Sequence, residues 1–194
     1  MHVYGRHMRW LELFADLEGQ ARALERAELE AEISDRTRAE TGQVRLQNRL
    51  HHRVGGCVRL TVLGAGQLEG TVDQVGADWL LLGGPAEVVV PVSAVLTVSD
   101  LGTASVSPEG VGVVAQRLGL TSALRAIAVD RCPVRVALRD GSTFVGTPHR
   151  VGADFVDIAV HDVGEVPRRD VVRGTSTVTF GAIAAVRRLG SSWD

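Results

Sequence analysis

The sequence has no lysine. All 21 of its basic residues are arginine, set against 23 acids, for a formal net charge of −2. We read the arginine preference as a base-composition bias of the coding sequence rather than a functional signal. The missing basic excess says more. Proteins dedicated to nucleic acid draw much of their affinity from neutralising phosphates and carry a clear positive surplus; this chain carries none overall. Aromatic residues make up only 4% of the chain, so Val, Leu, Ile and Ala must fill its core, and a hydrophobic content of 45% is ample for that. Cysteine occurs only as the isolated pair Cys57 and Cys132, without CxxC spacing, which argues against a disulfide framework or a zinc site. Met1 to Trp10 lacks the apolar stretch of a signal peptide. The most apolar run, Trp79 to Val98, is broken by Gly83-Gly84-Pro85 and Glu87, and β-branched residues crowd its second half. Two strands and a turn account for it better than a membrane span does. A soluble cytoplasmic protein with no membrane association is expected.

Catalytic signatures are also missing. There is no Ser-His-Asp order, no GxSxG elbow and no phosphate-binding loop. The histidines His51, His52, His149 and His161 are scattered. Asp157, His161 and Asp162 lie close in sequence, but metal ligation needs three or four converging donors, and this set offers at most two good ones. The expectation is a non-enzyme with no catalytic residue, no cofactor and no metal.

What the chain does have is a duplication. Sliding it by 76 places sets Val58-Arg59 on Val134-Arg135, Gly70-Thr71 on Gly146-Thr147, and Val75-Gly76-Ala77-Asp78 on Val151-Gly152-Ala153-Asp154. These are eight identities in an ungapped window from Cys57–Leu82 to Pro133–Ile158. One small module is built twice. The ends of the copies align at an offset of 88, so the second carries a 12-residue insertion within His161 to Thr175.

Residues 8–52 read as one long helix or a helical hairpin. Trp10, Leu13, Phe14, Leu17, Ala21 and Leu24 recur at three- and four-residue steps as an apolar stripe, followed by a charged stretch from Glu25 to Glu40. Glu18 to Arg22 and Glu32 to Arg36 are acid-to-base pairs four residues apart, each worth ~0.3 kcal/mol. Gly19 and Gly42 weaken the helix by ~1 kcal/mol each relative to Ala. Such a helix either packs on its own domain or binds a partner or second copy through Trp10, Leu13, Phe14, Leu17 and Leu24.

The first copy gives five short strands: from Cys57, Gln67–Gln74 with a bend at Gly70, Trp79–Leu82, Val88–Val90 and Val95–Val98. The second gives Val134–Arg139, Thr143–Arg150, Asp154–Val160, Thr177–Phe180 and Ile183–Arg188, with Asp140-Gly141 as a hairpin turn. Short helices are expected at Val113–Leu118 and Ser122–Asp130, the latter capped by Thr121 or Ser122 and facing a barrel with Leu120, Leu124 and Ile127. Five short strands with tight turns predict a small barrel, since a lone sheet would leave costly edges. Trp79 and Phe155 match across the copies and are read as core. Asp78 and Asp154 are read as acceptors for turn amides.

This pattern resembles the Sm/LSm small barrels, the family that includes the bacterial RNA chaperone Hfq. A helix precedes five strands in each. Leu138-Arg139-Asp140-Gly141 followed by Phe144-Val145-Gly146 fits the motif of the first strands. Ser93-Ala94-Val95-Leu96-Thr97-Val98 and Gly181-Ala182-Ile183-Ala184-Ala185-Val186 sit where Hfq has His-Ala-Ile-Ser-Thr-Val. The resemblance covers residues 54–101 and 121–189. It implies an α+β fold: a long N-terminal helix, then two tandem five-stranded Sm-like or SH3-like barrels joined by short helices. The segments would be a helix over 1–53, a first barrel over 54–101, a connector over 102–132, a second barrel over 133–190 and a tail over 191–194. In Sm-type assemblies the fourth strand of one unit meets the fifth of the next. A tandem copy would make one such join within the chain and leave the outer edges free. The Lys-His pair with which Hfq contacts RNA is replaced by Val92-Ser93 and Phe180-Gly181, which carry no charge.

Two functions follow. The first is an interaction or assembly module that binds a protein partner or itself. The alternative is RNA or DNA binding through Arg131, Arg135, Arg139, Arg150, Arg168, Arg169, Arg173, Arg187 and Arg188. Residues 131–194 hold nine Arg against seven acids, whereas residues 54–130 hold three against seven.

Overall fold

A computed structural model describes residues 4–107, 110, 112, 117–161 and 174–189, with the side chains of 4–9, 11 and 40 outside that description. Residues 113–116, the 12 residues 162–173 and the tail from 190 therefore lie outside the described residues, and with them most of the expected helix Val113–Leu118. The chain divides into two compact units, Met1–Val44 and Arg45–Asp194.

The first unit is a single helix, α1 (Tyr4–Gln43), of 40 residues. At 1.5 Å per residue it is about 60 Å long. The helix is unbroken through residue 43, and the span 8–52 expected as one helix or a hairpin is divided at Val44-Arg45 into two helices. Its sequence is rich in Ala, Leu, Glu and Arg and free of proline, which favours continuous helix. Same-face contacts along it include Arg22–Glu18 at 3.2 Å and Arg38–Asp35 at 3.1 Å. The helix stops before Val44-Arg45, where Arg45 turns extended and caps α2 (Leu46–His52) with its backbone.

Among its described residues the second unit holds α2, five strands, a longer helix and five more strands. The first five are β1 (Cys57–Val62), β2 (Gly66–Val75), β3 (Trp79–Gly83), β4 (Val88–Pro91) and β5 (Val95–Ser99), with a 3-10 turn at Val92–Ala94. Helix α3 (Leu120–Asp130) follows. Then come β6 (Val134–Leu138), β7 (Thr143–Val151), β8 (Phe155–Val160), β9 (Gly174–Thr179) and β10 (Ile183–Arg188), with a 3-10 turn at Phe180–Ala182.

The duplication extends to the hydrogen bonds. Val58 pairs with Gly70 as Val134 pairs with Gly146. The register slips between Val72 and Gln74 in one copy and between Pro148 and Arg150, 76 residues on, in the other. Gly76 N donates to Trp79 O at 2.8 Å and Gly152 N to Phe155 O at 2.9 Å. Gly70 and Gly146 share a steric cause: a Cβ would meet Gly83 O at 2.4 Å in the first and Ala159 O at 2.5 Å in the second. The crossing strand leaves no room for a side chain.

Two separately closed barrels are not what forms. The strands make one open, antiparallel, ten-stranded sheet in the order β5-β1-β2-β3-β4-β10-β6-β7-β8-β9. The join is β4 to β10, through Val89↔Val186 and Val88↔Arg187. Its physical cause lies in β4, where Val88, Val89, Val90 and Pro91 are all buried. Such a strand cannot stand as a solvated edge, and the second copy covers it. The cores interlock across the join. Ala184 and Ala185 of the second copy belong to the cluster built on Leu60, Leu80 and Val90. Trp79 and Val89 of the first belong to the cluster built on Leu124, Val136 and Ile158. Leu50 of α2 is fully buried in the first cluster.

Helix α3 begins at Leu120, earlier than expected, and neither Thr121 nor Ser122 caps it. Gly119 occupies the cap position without a side-chain bond. The missing acceptor comes from the other copy: Leu120 N donates to Asp78 Oδ1 at 2.7 Å. Leu120 and Leu124 are buried and Ile127 packs against the second cluster, as their spacing requires. No helix among the described residues is long and apolar enough to cross a membrane.

Candidate functional site

Three surfaces carry the chemistry of the described residues. The first is the N-terminal stripe. Trp10, Leu13, Phe14, Leu17 and Leu24 are 58, 47, 55, 50 and 63% exposed. They share one side of α1 over its early turns, and the Trp10 and Phe14 rings stack with centroids 6.2 Å apart. Leu29 and Ile33 are also exposed, but their positions in the 3.6-residue period place them on the opposite side.

The second surface concerns the arginines, which the structure does not gather into one site. Arg139 reaches across the join through its side chain, whose Nη2 donates to Ser93 Oγ at 2.6 Å, while its backbone N donates to Ala182 O of its own copy at 2.9 Å. Arg188 pairs with Glu87 of the first copy at 3.1 Å and lies 3.9 Å from Asp130. Both hold the two copies together. Arg131 is the left-handed C-cap of α3. Arg135 and Arg187 face each other on adjacent strands and are exposed. In the first copy, Arg59 at the position of Arg135 pairs with Glu69 at 3.2 Å, but in the second Val145 stands where that acid would be. Arg168, Arg169 and Arg173 lie outside the described residues. Arg150 is exposed on β7. Beside it, an open groove of about 1100 Å³ runs between α3 and β7, lined by Arg125, Arg131 and His149 over Val129 and Pro148, with no acid among its described lining residues. Neither Arg125 nor His149, one of the scattered histidines, was assigned to a site from the sequence. Arg125 is the lone cation within a helix read for its apolar face, and His149 shares a strand with residues whose register was unknown.

The third surface is a cleft of about 190 Å³ between α3 and the sheet at the β4–β10 join. Trp79, Leu81, Val89, Ile127, Val134 and Val186 line it, with Glu87, Asp130, Cys132 and Arg188 at its margin. Trp79 is fixed here by its indole, which donates to Leu118 O at 2.8 Å. Its counterpart Phe155 is only half-buried and belongs to neither core cluster, contrary to its expected core role. Each ring does lie over its repeat glycine: a Cβ on Gly76 or Gly152 would come within 2.2 Å of it.

The polar residues near the end of β8 have local duties. Asp157 accepts from Thr177 Oγ1 at 2.6 Å, and His161 is 2.9 Å from Thr147 Oγ1 in a buried pair. Asp162 lies outside the described residues. Among the described residues no three His, Cys, Asp or Glu converge as metal donors. Asp78 does accept an amide, though that of α3 and not of its own turn. Burial holds the His51 imidazole below its usual pKa.

No family model matches the chain, and neither a curated protein nor a solved structure matches it. Fold and surfaces define the class: an α+β protein with a long N-terminal helix and a ten-stranded antiparallel sheet made from two copies of one unit.

Proposed function

We propose that this chain is a non-enzymatic assembly module of Sm-like ancestry that associates with another copy of itself through α1. The observation that carries this is the exposed stripe Trp10, Leu13, Phe14, Leu17 and Leu24. A lone helix in water is marginal, and most helical stability in proteins comes from packing an apolar face. Five large apolar groups along about 21 Å of one side therefore call for a cover. The Sm-like reading is supported by the β4–β10 join, which is the fourth-to-fifth strand pairing of that family made inside one chain.

The helix is a better route than the sheet edges. Among the described residues β5 pairs only with β1 and β9 only with β8. The residues that make the inner join are replaced at those edges. The offset of 88 sets Thr177 on Val89, Thr175 on Glu87 and Asp100 on Arg188, and the offset of 76 sets Asp140 on Gly64. A second join of the same kind would lack the buried valine and the ion pair. Light scattering on the full chain tests the proposal. A dimer or higher species that Leu17→Glu converts to monomer, with thermal unfolding of the sheet unchanged, is the expected result. A monomer at every reachable concentration overturns it.

A second reading, binding of single-stranded nucleic acid, is favoured by the acid-free groove of Arg125, Arg131 and His149. Labelled RNA should then bind at low salt with an affinity that falls steeply as salt rises. Arg125→Ala with Arg131→Ala should weaken it, whereas Arg139→Ala should act on stability. No binding at low salt removes this reading.

A further inference from the structure

We infer that the cleft between α3 and the β4–β10 join is a binding site for a small amine: one aromatic or branched aliphatic body with a cationic head. This is independent of the assembly reading, because it uses no residue of α1.

The body follows from the walls. Trp79, Val89, Val134 and Val186 are buried core residues that border the cleft, and Leu81, Ala123 and Ile127 add to its apolar lining. Small-molecule sites are apolar concavities with a few placed polar groups, commonly about 300–1000 Å³. At about 190 Å³ this one is smaller. It suits a single ring or a short branched chain, since an apolar cavity of about 150 Å³ accepts benzene.

The head follows from the margin. Among the described residues Arg188 is the one cation there, and its guanidinium is engaged: Nη1 lies 3.1 Å from Glu87 Oε2, and Nη2 donates to Cys132 Sγ at 3.5 Å. Asp130 is only loosely met, at 3.9 Å from Arg188. Asp130 is also the last residue of α3. A carboxylate at the negative end of a helix works against the helix dipole. The long contact with Arg188 offsets little of that cost, and positions that break a local rule are where functional groups are expected. The helix end and the carboxylate together favour a cation at the same mouth, and a ligand ammonium would satisfy both.

Three probes sharing one ring and differing in head charge test this: 2-phenylethylamine, toluene and phenylacetate. Binding to the full chain is read from amide chemical shifts at Ile127, Cys132 and Val186. The amine should bind about five- to tenfold tighter than toluene, and phenylacetate most weakly, the order set by one unit charge near a carboxylate in water. Asp130→Asn should erase the amine's advantage and leave toluene unchanged. Ala126→Leu, at an exposed position of the lining, should plug the cleft and abolish all three, with a thermal melt confirming that the variant folds. Bound amine should also slow the reaction of a thiol reagent with Cys132 but not with the exposed Cys57. Equal affinity for the three heads, shifts centred elsewhere, or no shifts up to the solubility of the amine would each overturn the inference.

Discussion

Two glycines in one turn make the sharpest residue-scale contrast. Gly64 and Gly66 both have left-handed backbones, with φ of 79° and 73°. A Cβ on Gly66 would meet nothing within 4 Å, but one on Gly64 would come within 2.1 Å of Leu138 O in the other copy. Gly66→Ala should cost only the left-handed penalty, ~1 kcal/mol. Gly64→Ala must also push backbone apart across the join, and its cost should exceed ~2 kcal/mol. Urea midpoints for the two variants check this, and equal losses would show that the join yields freely. In the second copy Asp140 occupies the matching turn position. Its carboxylate accepts from Ser142 Oγ at 2.6 Å and Ser142 N at 2.8 Å. Those bonds, the side-chain one first, hold its pKa below the usual carboxylate value. A depressed folded-state pKa stabilises above the unfolded value, and that contribution is lost as pH falls through the folded one. The repeat could be read from the sequence at single residues because its glycines answer to the same steric limits twice. Asp78 could not be read this way. Its acceptor role depends on α3, 42 residues further on.

At the scale of elements, strand positions were legible and helix ends were not. Apolar alternation, as in β1, and short apolar runs between turns, as in the fully buried β4, located all ten strands to within a few residues. The apolar stripe marked α1, but spacing alone left one helix or a hairpin open over residues 8–52 and did not show the break at Val44-Arg45. The helix runs through Gly19 because nothing packs there, so the glycine meets no constraint that would turn the chain. This gives a direct test. Alanine at Gly19 and Gly42 would meet no atom within 4 Å. The double variant should raise helicity at 222 nm and shift the helix melt upward, by up to ~1 kcal/mol per site. A loss of helicity would mean that one of the glycines serves a bend in solution. The shifted start of α3 also comes from outside the helix's own sequence. Thr121 and Ser122 are good caps by type, but the turn begins where an outside carboxylate already meets the first amide.

The whole molecule turns on the join. Sequence spacing fixes which residues of β3 and β4 are apolar, but not which core receives them, and so two closed barrels are the natural expectation from sequence. Trp79 and Val89 cross into the second cluster while Ala184 and Ala185 cross into the first. Neither copy therefore encloses its interior without the other, and Arg45–Asp194 clusters as one compact unit. The consequence is cooperative unfolding. In urea, fluorescence of the buried Trp79 and amide-exchange protection in β2 and β7 should report one transition with one midpoint, although β2 and β7 lie in different copies. Trp79→Phe should lower that midpoint for both strands alike, because the residue it alters is sequence of the first copy and core of the second. Two transitions, with β7 surviving the loss of β2, would instead mean that the copies are independent barrels laid edge to edge, and the shared core would carry none of the stability assigned to it.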